Sequence, residues 1–274
     1  MRRRTLLGLP ALGALGALLV ACGDDAAVRE PDGPGEGRIA YGDDPSQYGE
    51  LYLPEGTPRG VVVVIHGGFW KAAYDAALGR PLATSLAAEG WAAWNLEYRR
   101  VGNGGGAPAT FDDVSAGIDR LGDLDLDLST VVTLGHSAGG HLATWAATRG
   151  RDPVWPARVP VTAVVSQAGV LDLRAAADDD LGDGAVRALL GHPPTDADDR
   201  YDPVRQLPAG VPVWCVHGRD DTVVPPSQSA SYVEQAVAAG DDAELVEVGG
   251  DHFVVIDPAS PAWARILEIL DGLG

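Results

Sequence analysis

The chain has 274 residues, 46% of them hydrophobic, and a formal net charge of −19. That length and apolar content suit one large folded domain and exclude a chain that stays disordered. The acidic balance argues against nucleic acid or an anionic membrane surface as a partner, because both are polyanions.

Residues 1–22, MRRRTLLGLPALGALGALLVAC, set a basic cluster, an apolar stretch and a small residue before a cysteine. That is the order of a secretory signal peptide. Leu19-Val20-Ala21-Cys22 resembles a bacterial lipobox, which predicts cleavage before Cys22 and a lipid on that cysteine. The protein is then expected to be exported and to sit at the cell envelope, lipid-anchored on the outer face of the membrane. Simple secretion and an uncleaved anchor are the alternatives. Arg3-Arg4 leaves the general and the twin-arginine export routes both open. Residues 23–37, rich in charge, proline and glycine, read as a flexible tether, and residues 38–274 as the folded body. With Cys22 lipidated, Cys215 has no disulfide partner and reads as a small buried core residue within VPVWCVHG. Neither cysteine has zinc-site spacing, so no metal is expected.

Within the body, apolar runs alternate with helical patterns. GVVVVIHGG (60–68) is a continuous β-branched run, as a strand buried on both faces requires. Further strands are expected at 90–99, 130–137, 161–169, 211–218 and 243–248, with an antiparallel edge hairpin from 38–41 and 48–53. Helices are expected near 72–89, 111–121, 138–149, 184–190, 226–239 and 260–271. Alternation of this kind predicts an α/β domain with a mostly parallel central sheet and helices on both faces. The acidic stretch 172–208 is longer than a connection between two core strands needs. It reads either as a solvated loop with one short helix or as a flap beside a site.

Three segments carry chemistry. GHSAG (135–139) fits G-x-S-x-G where a strand pattern gives way to a helical one. Glycines flanking Ser137 permit a sharp, strained turn that lifts the hydroxyl off the sheet toward a helix N-terminus. A serine hydroxyl needs a base, and the base needs an orienting carboxylate. HGRDDTVVP (217–225) supplies Asp220 and Asp221, and GGDHF (249–253) supplies His252, the one histidine late in the chain. The order Ser, Asp, His separates this set from the chymotrypsin-like and subtilisin-like orders. Asp172 is a further candidate for the acid. HGGFW (66–70) places two glycines after the first buried strand, where backbone amides can approach a developing oxyanion.

Taken together, HGGFW, GHSAGG, HGRDDTVVP and GDHF resemble the α/β-hydrolase superfamily over residues 38–274, in its esterase, lipase and kynurenine-formamidase-like branch. The resemblance implies an α/β-hydrolase fold without a large cap domain, and a serine hydrolase of carboxylic esters. It implies Ser137 as nucleophile, His252 as base and Asp221 as the triad acid, with Asp220 a solvated loop charge. Ala138, Gly68 and Phe69 become the oxyanion donors, Trp70 a pocket wall, and His66 and His136 loop-shaping residues. Such chemistry runs through an acyl-enzyme and needs no cofactor. Two other enzyme readings remain, an arylformamidase or other amidase and a prolyl-oligopeptidase-like peptidase; an export signal and the lack of a propeller segment weigh against them. A non-catalytic surface binding protein is the remaining reading. The expected partner is a small ester or amide; oligomeric state is not legible.

Overall fold

The computed structural model describes residues 36–273, so the expected signal segment, the expected lipidation at Cys22 and nearly all of the expected tether lie outside the described residues. The first strand, β1, spans Glu36–Ala40 and pairs antiparallel with β2 (Tyr48–Tyr52). β2 in turn runs antiparallel to β4 (Ala92–Leu96). From there every pairing is parallel: β4 to β3 (Val61–Ile65), then β5 (Val131–His136), β6 (Ala163–Gln167), β7 (Val213–Gly218) and β8 (Ala243–Val248). The eight-stranded order is β1-β2-β4-β3-β5-β6-β7-β8. The edge hairpin and the parallel body therefore follow the sequence pattern.

β3 shows why the pattern works. Val61, Val63 and Ile65 enter one core layer, while Val62 and Val64 enter the other, and all five are essentially inaccessible. The second layer is closed by α1 (Arg80–Ala88) through Leu82 and Leu86 and by α7 (Pro261–Asp271) through Trp263 and Ile266. The first layer is closed by α2 (Ala109–Asp119), α3 (Ala138–Thr148) and α6 (Ser227–Ala238), through Phe111, Val114, Leu142, Trp145 and Tyr232. Helices on both faces of a parallel sheet leave the carboxyl ends of the strands as the open rim, where such sheets place their sites.

Two expected helices differ. The pattern at 72–89 yields a helix only from Arg80, because Pro81 in its first turn fixes the start there and Asp75 caps a separate 3-10 turn at Ala76–Leu78. The stretch 172–208 holds more structure than a loop with one helix. It forms α4 (Leu173–Asp178), α5 (Leu181–Leu190) and 3-10 turns at Asp196–Tyr201 and Pro203–Gln206. Leu173, Ala176, Ala185, Val186 and Leu189 are buried against the first core layer, which is what holds these short helices in place. Among the described residues, no helix is long and apolar enough to cross a membrane.

Candidate active site

Ser137 stands between β5 and α3 with φ 56° and ψ −119°, a conformation costly for a residue with a side chain. Its surroundings leave no alternative. A Cβ on Gly135 would lie 2.1 Å from the Gly139 carbonyl oxygen, and one on Gly139 would lie 2.0 Å from the Ile65 carbonyl oxygen. Only glycine lets strand, turn and helix pack so closely. The Ser137 amide donates to the Gln167 carbonyl at 2.8 Å, tying the elbow to the end of β6. Ser137 caps α3, so the partial positive charge of the helix end falls beside its hydroxyl.

The loop after β7 carries Asp221 and the loop after β8 carries His252. Asp221 Oδ2 lies 2.6 Å from His252 Nδ1, and Oδ1 accepts from the amides of Val223 (2.8 Å) and Val224 (2.9 Å). Burial alone would raise the Asp221 pKa. Hydrogen bonds from His217, His252 and the Val224 and Val223 amides outweigh it and hold the carboxyl well below the usual carboxylate range. A permanently ionised Asp221 fixes the His252 tautomer with hydrogen on Nδ1 and leaves Nε2 as the acceptor nitrogen. Of the three candidate carboxylates, Asp221 is the one the structure brings to His252. Asp220 is exposed, and Asp172 caps α4 by accepting from the Ala175 amide.

Ser137 and His252 line the same cavity of about 160 Å³, with no hydrogen bond joining them. Gly68, Phe69, Tyr74, Leu78, Val223, Phe253 and Ile256 complete the lining with His136. The amides of Gly68, Phe69 and Ala138 donate to no protein group among the described residues, so they are free to meet a developing negative charge. Trp70, expected as a pocket wall, is not one. It is 1% exposed and its indole packs edge-on against His141 in the core, because Trp70 adopts φ 54° and turns its side chain inward. The aromatic lining comes instead from Phe69, Tyr74 and Phe253.

Sequence reasoning missed the support that His217 gives and assigned His136 only a loop-shaping role. His217 Nε2 faces both Asp221 Oδ2 (3.1 Å) and the Val224 carbonyl (3.0 Å), two acceptors that require its hydrogen, while Nδ1 pairs with Ser229 Oγ at 2.7 Å. The signal was the HGRDD spacing itself, which sets His217 at the end of β7, four residues before Asp221 in the loop that follows. His136 Nε2 donates to the His252 carbonyl at 2.9 Å, and the two rings lie 4.5 Å apart. Burial, and then the charge of His252, push the His136 pKa down to about 3, so it remains neutral beside an imidazolium. His66 is buried behind the Gly67-Gly68 turn, stacked on Tyr98, whose hydroxyl donates to the His66 carbonyl. Among the described residues, no group of histidine, cysteine and carboxylate side chains could hold a metal ion.

A family model described as BD-FAE matches residues 50–235. Esterase LipC of Mycobacterium tuberculosis is 30% identical over 81% of this chain and 60% of its own length. The chain therefore spans less than two thirds of that relative. Among solved structures, esterase B from Lactobacillus rhamnosis superposes with a TM-score of 0.76 at 23% identity, covering 90% of this chain and 87% of that one. Esterase 2 of Thermogutta terrifontis gives 0.71 at 24% identity, covering 88% and 94%. These neighbours share the α/β-hydrolase fold with this chain.

Proposed function

We propose, from the premise that the chain belongs to the BD-FAE family, that it is a serine hydrolase of carboxylic esters. The observation that carries the reading is Asp221 bonded to His252 at 2.6 Å beside a strained Ser137 in one cavity. Ser137 Oγ attacks the ester carbonyl and passes its proton to His252 Nε2. Asp221 stabilises the imidazolium, and the amides of Ala138, Gly68 and Phe69 receive the oxyanion. The alcohol leaves with the proton from His252, and water then repeats the sequence in reverse to free the acid. Each amide donor of this kind typically supplies about 2.7–4 kcal/mol of transition-state stabilisation. The apolar lining and the small volume favour a short acyl chain over a long one.

A fluorophosphonate probe tests the assignment. It should label the wild type and not Ser137→Ala; labelling that survives the substitution rejects the nucleophile. Acyl profiling with p-nitrophenyl esters should show turnover falling as the chain outgrows the cavity. Independently of the active site, the lipobox-like Leu19-Val20-Ala21-Cys22 supports a proposal that the enzyme sits at the cell envelope through a lipid on Cys22. Metabolic labelling with a fatty acid should be lost in Cys22→Ala.

A further inference from the structure

Lys71 is the only lysine of the chain, and it immediately follows the loop that carries the Gly68 and Phe69 amides. Its Nζ donates to the Gly182 carbonyl at 2.8 Å, 111 residues away in sequence, and stands 5.6 Å from the centroid of the Phe69 ring. Gly182 lies in a kink of α5 where Asp180, Gly182, Asp183 and Gly184 all take left-handed φ values of 52°, 64°, 55° and 73°. A Cβ on Gly182 would fall 2.4 Å from Phe69 Cδ1, so the kink brings bare backbone against the ring. Phe69 is wedged between that backbone and the Lys71 ammonium, in reach of cation–π attraction.

Phe69 needs such a wedge. Gly68, Phe69 and Trp70 run consecutively through left-handed φ values of 110°, 52° and 54°. Residues with side chains hold that conformation only where their surroundings over-determine it. Trp70 is secured independently: its carbonyl accepts from the Val101 amide at 2.8 Å and its indole is buried. On the Phe69 side, the kink and Lys71 supply the contacts. Lys71 is not among the residues lining the cavity, so its reach to Gly182 acts on the loop and not on substrate.

We propose that Lys71 is a positioning residue that, with Gly182, latches the 172–208 excursion onto the loop after β3 and keeps the Gly68 and Phe69 amides aimed at the oxyanion. The inference rests on the serine-hydrolase reading of Ser137. It makes the excursion a fixed brace behind Phe69, outside the cavity itself.

Lys71→Met keeps the apolar stem and removes the donor and the charge, whereas Lys71→Arg keeps both. Gly182→Ala drives a methyl group into the Phe69 ring and tests the other half of the latch. Rates are normalised to sites titrated with a fluorophosphonate, so a loss of folded protein does not count as a loss of activity. With p-nitrophenyl acetate, Lys71→Met should lower kcat roughly 10- to 100-fold with KM held within about twofold, the signature of misplaced transition-state donors. Phosphonylation should slow in parallel, Lys71→Arg should recover most of the rate, and Gly182→Ala should reproduce the loss. An unchanged kcat per titrated site in both variants overturns the latch. A raised KM at constant kcat also overturns it, by putting Lys71 on the substrate. Failure of the probe to label the wild type is a different result, and it removes the hydrolase reading itself.

Discussion

Asp221 and Asp202 are both buried aspartates, 6% and 2% exposed, in loops on the same acidic molecule, yet their carboxyls are pushed in opposite directions. Asp221 is ringed by two imidazoles and two amides and stays ionised. Asp202, at the end of the 172–208 excursion, accepts only from the Leu173 amide at 3.1 Å, and its Oδ2 has no partner. Burial, and after it the neighbouring Asp172, raise its pKa to about 7 against the pull of that amide and of Arg205. Burial is common to both, so the number of donors decides the charge. The carboxylate that bonds to His252 is the one the fold surrounds with donors.

Asparagine at each position sharpens this contrast. Asp221→Asn keeps the shape but presents an amide that favours the wrong His252 tautomer. It should lower kcat by about 10⁴-fold, equal to roughly 5 kcal/mol, with the folded state retained. Steady-state kinetics on a short acyl ester and a thermal melt check both parts. A loss under about tenfold would mean that Asp221 does not govern the His252 ring.

At Asp202 the sign reverses. A carboxyl whose folded pKa is raised contributes stability that is complete below its unfolded pKa and is lost as pH rises through about 7. Asparagine imitates the protonated form at every pH. Asp202→Asn should therefore match the wild type near pH 4 and exceed it above pH 7. At about 1.4 kcal/mol per pKa unit the gap is of order a few kcal/mol. Denaturant titrations across that range measure it, and a constant gap would show that Asp202 does not titrate with folding.

How much of this was legible in the sequence follows from how local each feature is. Ser137 and its glycines form one strand–turn–helix unit, so the pentapeptide carried its own geometry. The covered, mostly parallel sheet followed from β-branched runs such as Val61–Ile65, which suit only a sheet covered on both faces, whereas the order of its strands was not legible. Asp221 could be favoured over Asp220 by motif register alone, since the deciding hydrogen bonds come from elements β7 and β8 meeting in space. Trp70 was misplaced because its direction depends on a left-handed backbone that no pattern of residue types reveals. The left-handed kink in α5 was invisible for the same reason, and the Lys71–Gly182 contact because it joins segments 111 residues apart.

His217 offers a smaller perturbation of the same contrast. His217→Leu removes one donor from Asp221 and leaves the rest, at a cost of about 1–3 kcal/mol for the lost buried hydrogen bond. Fewer donors raise the Asp221 pKa, so the acid limb of the pH–stability profile, read by denaturant titration, should move to higher pH. His217→Gln, which retains a donor, should move it less. A profile unmoved by His217→Leu would assign His217 to packing alone.

The smallest expected effect lies one residue from the largest. Asp220 is exposed, and its amide, not its carboxylate, makes the structural bond, to the Gly250 carbonyl at 3.0 Å. Its charge is one among many on a surface of net −19, screened by water and salt within about 10 Å at 0.1 M ionic strength. Asp220→Asn should leave kcat/KM within about twofold and stability within about 0.5 kcal/mol. The pair thus separates contact from proximity: adjacent aspartates, equal in composition and hydropathy, differ because only one side chain turns toward His217 and His252. A large loss of activity in Asp220→Asn would mean that its carboxylate, on the groove beside Phe253, takes part in binding the substrate.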